Sequence, residues 1–260
     1  MYLPFERNIP CESLLSTRTH DELNSRLLIS AKERKFCVVT GDVGVGKTTA
    51  IRRFTASLDK NNFRLVYISD SDLTPRVFYW EILKEFLGTD KPPLYRASGK
   101  HKMIQALEAI LSNKQTPVVI VDEAHLLSHE MLQETRFLLN YKMDSQNPMA
   151  LIIVGQSELR TKLSKEIYEP IVQRINWHYR LPALDRAGTQ DYIASHMRYA
   201  GATGQIFQDS AISAIFDYSK GCARKINQVC TLSLIAAAQR NARAIDAEFA
   251  AFVIDQELVW

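Results

Sequence analysis

No stretch of the 260-residue chain approaches the roughly 18 uninterrupted apolar residues that a membrane-spanning helix needs. The first residues, MYLPFERNIP, place proline and charge where a secretory leader would need an apolar run. Both absences lead to the expectation of a soluble cytoplasmic protein without membrane contact. The cysteines are four (Cys11, Cys37, Cys222, Cys230), with no C-x-x-C pair and no histidine at zinc-ligand spacing. They read as free thiols in a reducing compartment. A strong excess of one charge is also missing: the net charge is +3 and the pI is near 8.6. A surface that grips nucleic acid everywhere is excluded on that balance, so any DNA contact has to be local or built by several subunits together. Internal repeats and low-complexity segments are lacking too. What is present is ordinary globular material, 46% apolar and 23% charged. The length suits one α/β domain with a smaller appendage and allows a large core.

Along the chain, Thr19-His-Asp-Glu22 fits a capping box, followed by Leu23, Leu27, Leu28 and Ala31 at helical spacing, which predicts a helix from about His20 to Glu33. KFCVVTG reads as a short buried strand that ends at a glycine-rich turn, and KTTAIRRFTASL as the helix after it. RLVYIS (Arg64–Ser69) is a second strand, VFYWEILKEFLG a helix, and Thr89–Gly99 a loop on its prolines, glycine and serine. KMIQALEAILSN predicts a helix, PVVIVD a third strand, HEMLQETRFLLNYKM a helix, MALIIVG a fourth strand, and INWHYRL a fifth with rough alternation. Strands separated by helices require crossover connections, hence a five-stranded, mostly parallel sheet covered by helices. From Asp185 onward only helical segments remain, with Asp185, Asp209 and Asp246 as N-caps and Gly201 and Gly221 as punctuation. The organisation expected is an α/β domain over residues 1–181 with a short N-terminal segment, and a small all-helical domain over 182–260.

Gly41-Asp42-Val43-Gly44-Val45-Gly46-Lys47-Thr48 matches G-x-x-x-x-G-K-[ST], placed between a strand and a helix as that motif requires. The chemistry follows from the residue types. Glycines let backbone N–H groups face phosphates, the following helix offers its positive N-terminus, Lys47 neutralises terminal phosphate charge, the Thr48 hydroxyl ligates Mg²⁺, and Thr49 completes the expected nucleotide-binding set. ATP and Mg²⁺ are the expected ligands. The stretch VVIVDEAHLL then raises its own question, because a buried strand ends in two carboxylates, and a buried charge is costly unless paired or metal-bound. In phosphate-loop enzymes an acidic residue at the end of a neighbouring strand helps to hold the metal. Asp122, seventy-five residues after Lys47, fills that place. Glu123 would project toward the terminal phosphate, where a carboxylate can orient and polarise water. A solvated acidic turn before a helix is the competing reading. The DEAH spelling is shared with helicases, but those carry two sheet domains and this chain has room for one, so His125 reads as structural.

The order GDVGVGKT, VVIVDEAHLL, LIIVGQSELR, QRINWHYRL, GCARKIN resembles the ExeA-like AAA+ ATPases, a group that includes the transposition regulators TniB and TnsC. The resemblance runs from PFERN to the final helices. It implies a P-loop AAA+ core with a helical lid, ATP, Mg²⁺, ATP hydrolysis and a homo-oligomer, as a ring or helical filament. It implies Gln156, at the end of strand four, as the residue that senses the terminal phosphate. Arg174, before strand five, would be the finger that reaches a neighbouring subunit's nucleotide, and Arg224 a second sensor in cis. One departure is Ala223 where the family often writes proline, in G-x-P-R-x-I-N. Another is that secretion-type members carry a membrane span and a cell-wall-binding region, neither of which is found here. That absence leads to the expectation of a DNA-transposition regulator that coats or encircles double-stranded DNA with ATP bound, recruits a DDE-type transposase, and is released on hydrolysis. Arg76, Lys100 and Lys102 fall where similar proteins present DNA contacts, although solvated charges on loop ends would look the same. The alternatives are an ExeA-like ATPase that drives assembly of a secretion or envelope complex, and a loader of replicative helicase.

Overall fold

The computed structural model describes residues 3–6, 8–70, 73–139, 141 and 146–258. It divides into two compact units, one formed by residues 22–41 and 47–181, the other by residues 1–21, 42–46 and 182–260. The N-terminal segment, expected with the α/β part, clusters with the helical part. The reason lies in one side chain: Phe5 is buried in the helical core, its N–H donates to His196 Nδ1 at 3.1 Å, and the two rings stack 5.0 Å apart.

The α/β unit is built on five strands, β1 (Phe36–Thr40), β2 (Phe63–Ile68), β3 (Thr116–Val121), β4 (Ala150–Gly155) and β5 (Trp177–Arg180). They form one sheet in the order β2-β3-β4-β1-β5, with every pairing parallel. The middle strands read as continuous apolar runs because both faces are covered: each residue of β1 and β4, and β3 after Thr116, is buried. The edge strand β5 alternates between half-buried Trp177 and Tyr179 and exposed His178 and Arg180. Parallel pairing requires crossovers. These are α2 (Lys47–Ser57) after β1, α3 (Pro75–Leu87) and α4 (Arg96–Ser112) between β2 and β3, α5 (His129–Leu139) before β4, and α6 (Ser157–Leu163) with α7 (Glu169–Val172) before β5. The apolar faces of α3 to α7 join the sheet in one core that contains Phe36, Phe78, Leu107, Val119 and Leu151.

The observed ends correct the expected ones in two places. α1 spans Arg18–Lys32, and the His20 N–H reaches Thr17 Oγ1 at 3.3 Å, so the helix opens at Thr17 rather than Thr19. α4 begins at Arg96, inside the stretch expected to be loop, where Ser98 Oγ accepts the Tyr95 N–H at 3.3 Å. Gly99 lies within that helix because the packing is close: a Cβ there would stand 2.8 Å from Pro93 Cγ and 3.1 Å from Tyr79 Cβ. Lys100 and Lys102 are therefore helical residues. α5 is described to Leu139, and positions 140, 142 and 143 of the expected helix lie outside the described residues.

The helical unit carries α8 (Arg186–Tyr199), α9 (Asp209–Ser219), α10 (Ala223–Gln239) and α11 (Ala247–Glu257) around a core that includes Ile193, Phe207, Ile215, Ile226 and Val229. Asp185 and Asp246 cap α8 and α11, accepting the N–H groups of Gly188 and Phe249. Asp209 is the first residue of α9, with Gln208 at the cap position, and its carboxylate accepts from Gln205 Nε2 at 2.9 Å. Gly221 cannot be replaced cheaply, since its φ is +76° and a Cβ would fall 1.8 Å from the Leu184 carbonyl oxygen. None of the four cysteines forms a disulfide, and burial pushes the Cys37 thiol up to about 12. Among the described residues, no helix is long and apolar enough to cross a membrane.

Candidate functional site

In open α/β sheets, ligands bind outside the carboxyl ends of the strands. Register places the motif residues at that end: Thr40 pairs with Gly155 and with Arg180, and Val121 pairs with Ile153. Gly41, Asp122 and Gln156 are each the next residue along their strand. Lys47 opens α2 and is only 8% exposed, and its ammonium donates to the Gly41 carbonyl at 2.8 Å.

Asp122, 4% exposed, draws in three donors. Its Oδ2 accepts from Thr48 Oγ1 at 3.1 Å and from Tyr67 Oη at 2.7 Å, and its Oδ1 accepts the Glu123 N–H at 2.8 Å. Two motifs 74 residues apart are thereby joined in one cluster. Burial, then the hydrogen bond to Asp122, holds the Tyr67 phenol above its ordinary pKa, so it stays a donor. Sequence reading missed Tyr67. Its signal, an aromatic one residue short of the end of β2, gains meaning only once Ile68 is known to pair with Val121.

Glu123 adopts the left-handed conformation, φ 51° and ψ 31°, which a non-glycine residue enters at a cost of about 1–2 kcal/mol. The turn after it is tied to α6 and brings a histidine next to Glu123. His125 Nδ1 approaches Glu123 Oε2 at 3.4 Å, so the histidine set aside as structural stands beside the expected water-polarising carboxylate. From α6, Lys162 Nζ donates to the Leu127 carbonyl and lies 3.4 Å from the His125 carbonyl. Burial, and then Lys165, lower the pKa of that ammonium. Gly155 makes the close approach possible, since a Cβ there would be 3.1 Å from the His125 nitrogen. Gln156 is half-buried at the N-cap of α6 and spends no side-chain bond on capping. Arg174 sits two residues beyond α7, half-buried, its backbone N–H on the Ile171 carbonyl, and it is not part of the Asp122 cluster.

The loop residues Asp42 to Gly46 cluster with the helical unit. Gly44 and Gly46 have φ of +79° and +100°, which explains glycine at both positions. The start of α10 grips the loop: the Arg224 N–H donates to the Gly44 carbonyl at 3.1 Å, and Cys222 Sγ to the Val43 carbonyl at 3.3 Å. A Cβ at Gly44 would stand 2.7 Å from Arg224 Cβ. Asp42 and Val43 are exposed, Val45 is buried and Thr49 half-buried. Arg224 therefore reaches the loop through its backbone, with its residue exposed.

The three basic residues expected at DNA differ in setting. Arg76 Nε donates to the Pro93 carbonyl at 2.7 Å. Lys100 Nζ lies 3.9 Å from the buried carboxylate of Glu134, which also binds the Tyr79 hydroxyl and Arg96, and packs over Phe137. Lys102 is exposed on α4.

The chain is 30% identical over 214 residues to General secretion pathway protein A of Aeromonas hydrophila, covering 81% of this chain and 38% of that protein. It thus spans well under half the length of that relative. Among solved structures, the chain superposes on Drosophila ORC bound to DNA with a TM-score of 0.75 at 14% identity, over 98% of this chain and 64% of the other. For Cdc6p from Pyrobaculum aerophilum the values are 0.69 and 18%, over 92% and 66%. For Thermotoga maritima RuvB they are 0.60 and 15%, over 93% and 69%. At these identities the likeness establishes the fold, which is that of the P-loop AAA+ ATPases. Residues 30–163 match the AAA-domain family AAA_22, and the chain belongs to that family.

Proposed function

We propose that this chain binds ATP with Mg²⁺ at the loop Gly41–Thr48 and hydrolyses it, and that the nucleotide state governs an assembly made from several copies of the chain. The observation that carries the reading is the Thr48–Asp122 hydrogen bond, which puts a hydroxyl and a carboxylate side by side next to buried Lys47. Those donors fit Mg²⁺, a hard cation that takes oxygen ligands, keeps several waters and needs few protein groups. When bound, the ion neutralises phosphate charge. Lys47 is the fixed cation for the terminal phosphates. Glu123, aimed by its left-handed backbone and by the Asp122 carboxylate that receives its N–H, takes the proton of the attacking water. Gln156 reads the terminal phosphate, Arg224 reads it from the lid, and Arg174 supplies positive charge to a neighbouring copy's site.

For the work that hydrolysis drives, the best-supported reading is the ExeA-like one, a nucleotide-driven module in the assembly of a secretion or envelope protein complex. The 30% identity to a general secretion protein supports it. Regulation of DNA transposition, with double-stranded DNA and a DDE-type transposase as partners, is the second reading. Of its three basic residues, Arg76 and Lys100 are engaged by Pro93 and Glu134 and only Lys102 stands open, which ranks it second. Exposed Lys102 and the like fold of Drosophila ORC bound to DNA are what favour it. Phosphate release and light scattering, with ATP or ADP, each with and without duplex DNA, test both readings. ATP-dependent growth in mass without DNA supports the first, and growth only on DNA supports the second. No phosphate release under any condition would overturn the ATPase itself.

A further inference from the structure

β2 is an edge strand, and Tyr67 on it is 43% exposed, yet its hydroxyl turns inward to a buried carboxylate. The geometry is set by register. Tyr67 pairs with Ile120, so Tyr67 and Asp122, two residues on from Ile120, project from the same face of the sheet. The 2.7 Å bond from Tyr67 to Asp122 Oδ2 is shorter than the 3.1 Å bond from Thr48 to the same oxygen. With the Glu123 N–H on Oδ1, three of the roughly four acceptor positions of the carboxylate are taken. Of these donors, Thr48 is itself an expected metal ligand and Glu123 lies on a strained backbone. Tyr67 is the donor with neither duty, and it approaches from a separate strand.

We propose that Tyr67 is a positioning residue for the metal-binding carboxylate: its hydroxyl fixes the orientation of Asp122, so that the cation of a nucleotide–Mg²⁺ complex meets a carboxylate already aimed. The assignment rests on the proposed ATP-binding reading. Carboxylates that bind metals are themselves held by hydrogen bonds, and removal of such an outer partner typically lowers metal affinity about 10- to 100-fold. Without that donor Asp122 keeps only the Thr48 and Glu123 bonds, so its orientation has to be completed at the moment of binding, and that loss falls only on the metal-dependent part of the affinity. Tyr67→Phe keeps the ring and deletes the donor.

The test titrates a fluorescent ATP analogue into the whole chain and into Tyr67→Phe, once with excess Mg²⁺ and once with EDTA. The unaltered protein should bind more tightly with Mg²⁺. In Tyr67→Phe that gain should shrink about tenfold, while the affinity in EDTA stays unchanged, which also shows that the variant is folded. An undiminished gain in Tyr67→Phe overturns the assignment and leaves the ATP reading intact. Equal losses in EDTA and in Mg²⁺ also overturn it, because they mark Tyr67 as a packing residue. Failure of the unaltered protein to bind the analogue under either condition overturns the ATP reading and the assignment with it.

Discussion

Acidification should unlatch the N-terminal segment through one histidine. His196 on α8 is 4% exposed, stacked on Phe5 and packed 4.3 Å from the ring of Tyr192. Its Nδ1 accepts the Phe5 N–H, so the neutral ring is the form the fold uses. Burial pushes its pKa down from 6.5 to about 4. Between those values the unfolded chain binds a proton that the folded chain refuses. The stabilisation is therefore present in full above pH 6.5, is lost as pH falls, and levels off near 4. At 1.36 kcal/mol per pH unit the whole window corresponds to about 3 kcal/mol, and roughly 2 kcal/mol of it is gone at pH 5. Urea denaturation followed by circular dichroism at pH 7.5 and pH 5.0 measures the loss. Other groups titrate as well, so the comparison is with His196→Leu, which is less stable at pH 7.5 but lacks this proton. The unaltered chain should lose about 2 kcal/mol more than the variant over that interval. Parallel losses in the two proteins would refute the reasoning.

Glu134→Leu removes the carboxylate that binds the buried Tyr79 hydroxyl and Arg96, and because Arg96 is half-exposed and can turn to water, the cost should be about 2 kcal/mol in urea denaturation. Tyr79→Phe combined with it should cost less than the two single changes added together, because the orphaned hydroxyl is gone. Lys162→Met frees the turn that carries Glu123, and misplacement of a reacting group by about an ångström can cost 10²-fold in rate. The expected outcome is a hydrolysis rate at least about tenfold lower with unchanged affinity for a nucleotide analogue. Equal losses in rate and affinity would show that Lys162 supports the fold rather than the turn.

The phosphate loop was legible in the letters because they encode backbone geometry: Gly44 and Gly46 occupy conformations that other residues enter only at a cost. The buried strands were legible as apolar runs because parallel strands covered on both faces have no polar alternation to hide them. The start of α4 was not legible. A glycine and two prolines weigh against a helix, and only the neighbouring Pro93 and Tyr79 explain why Gly99 belongs inside one. Tyr67 escaped because a cross-strand contact depends on register, which no local pattern carries. The N-terminal segment escaped because its allegiance rests on Phe5 meeting His196, 191 residues away. The grip of α10 on the loop is of the same long-range kind, since Cys222 and Val43 are 179 residues apart.

Whether the carboxylate beside Asp122 activates water for ATP hydrolysis is read most directly from phosphate release by Glu123→Gln alongside its affinity for ATP with Mg²⁺. The substitution keeps the side chain's size and its place on the left-handed turn while removing its basicity. Affinity should stay within about twofold and phosphate release should fall by about 10²- to 10⁴-fold, the usual contribution of a positioned base. Release at the unaltered rate would contradict the account.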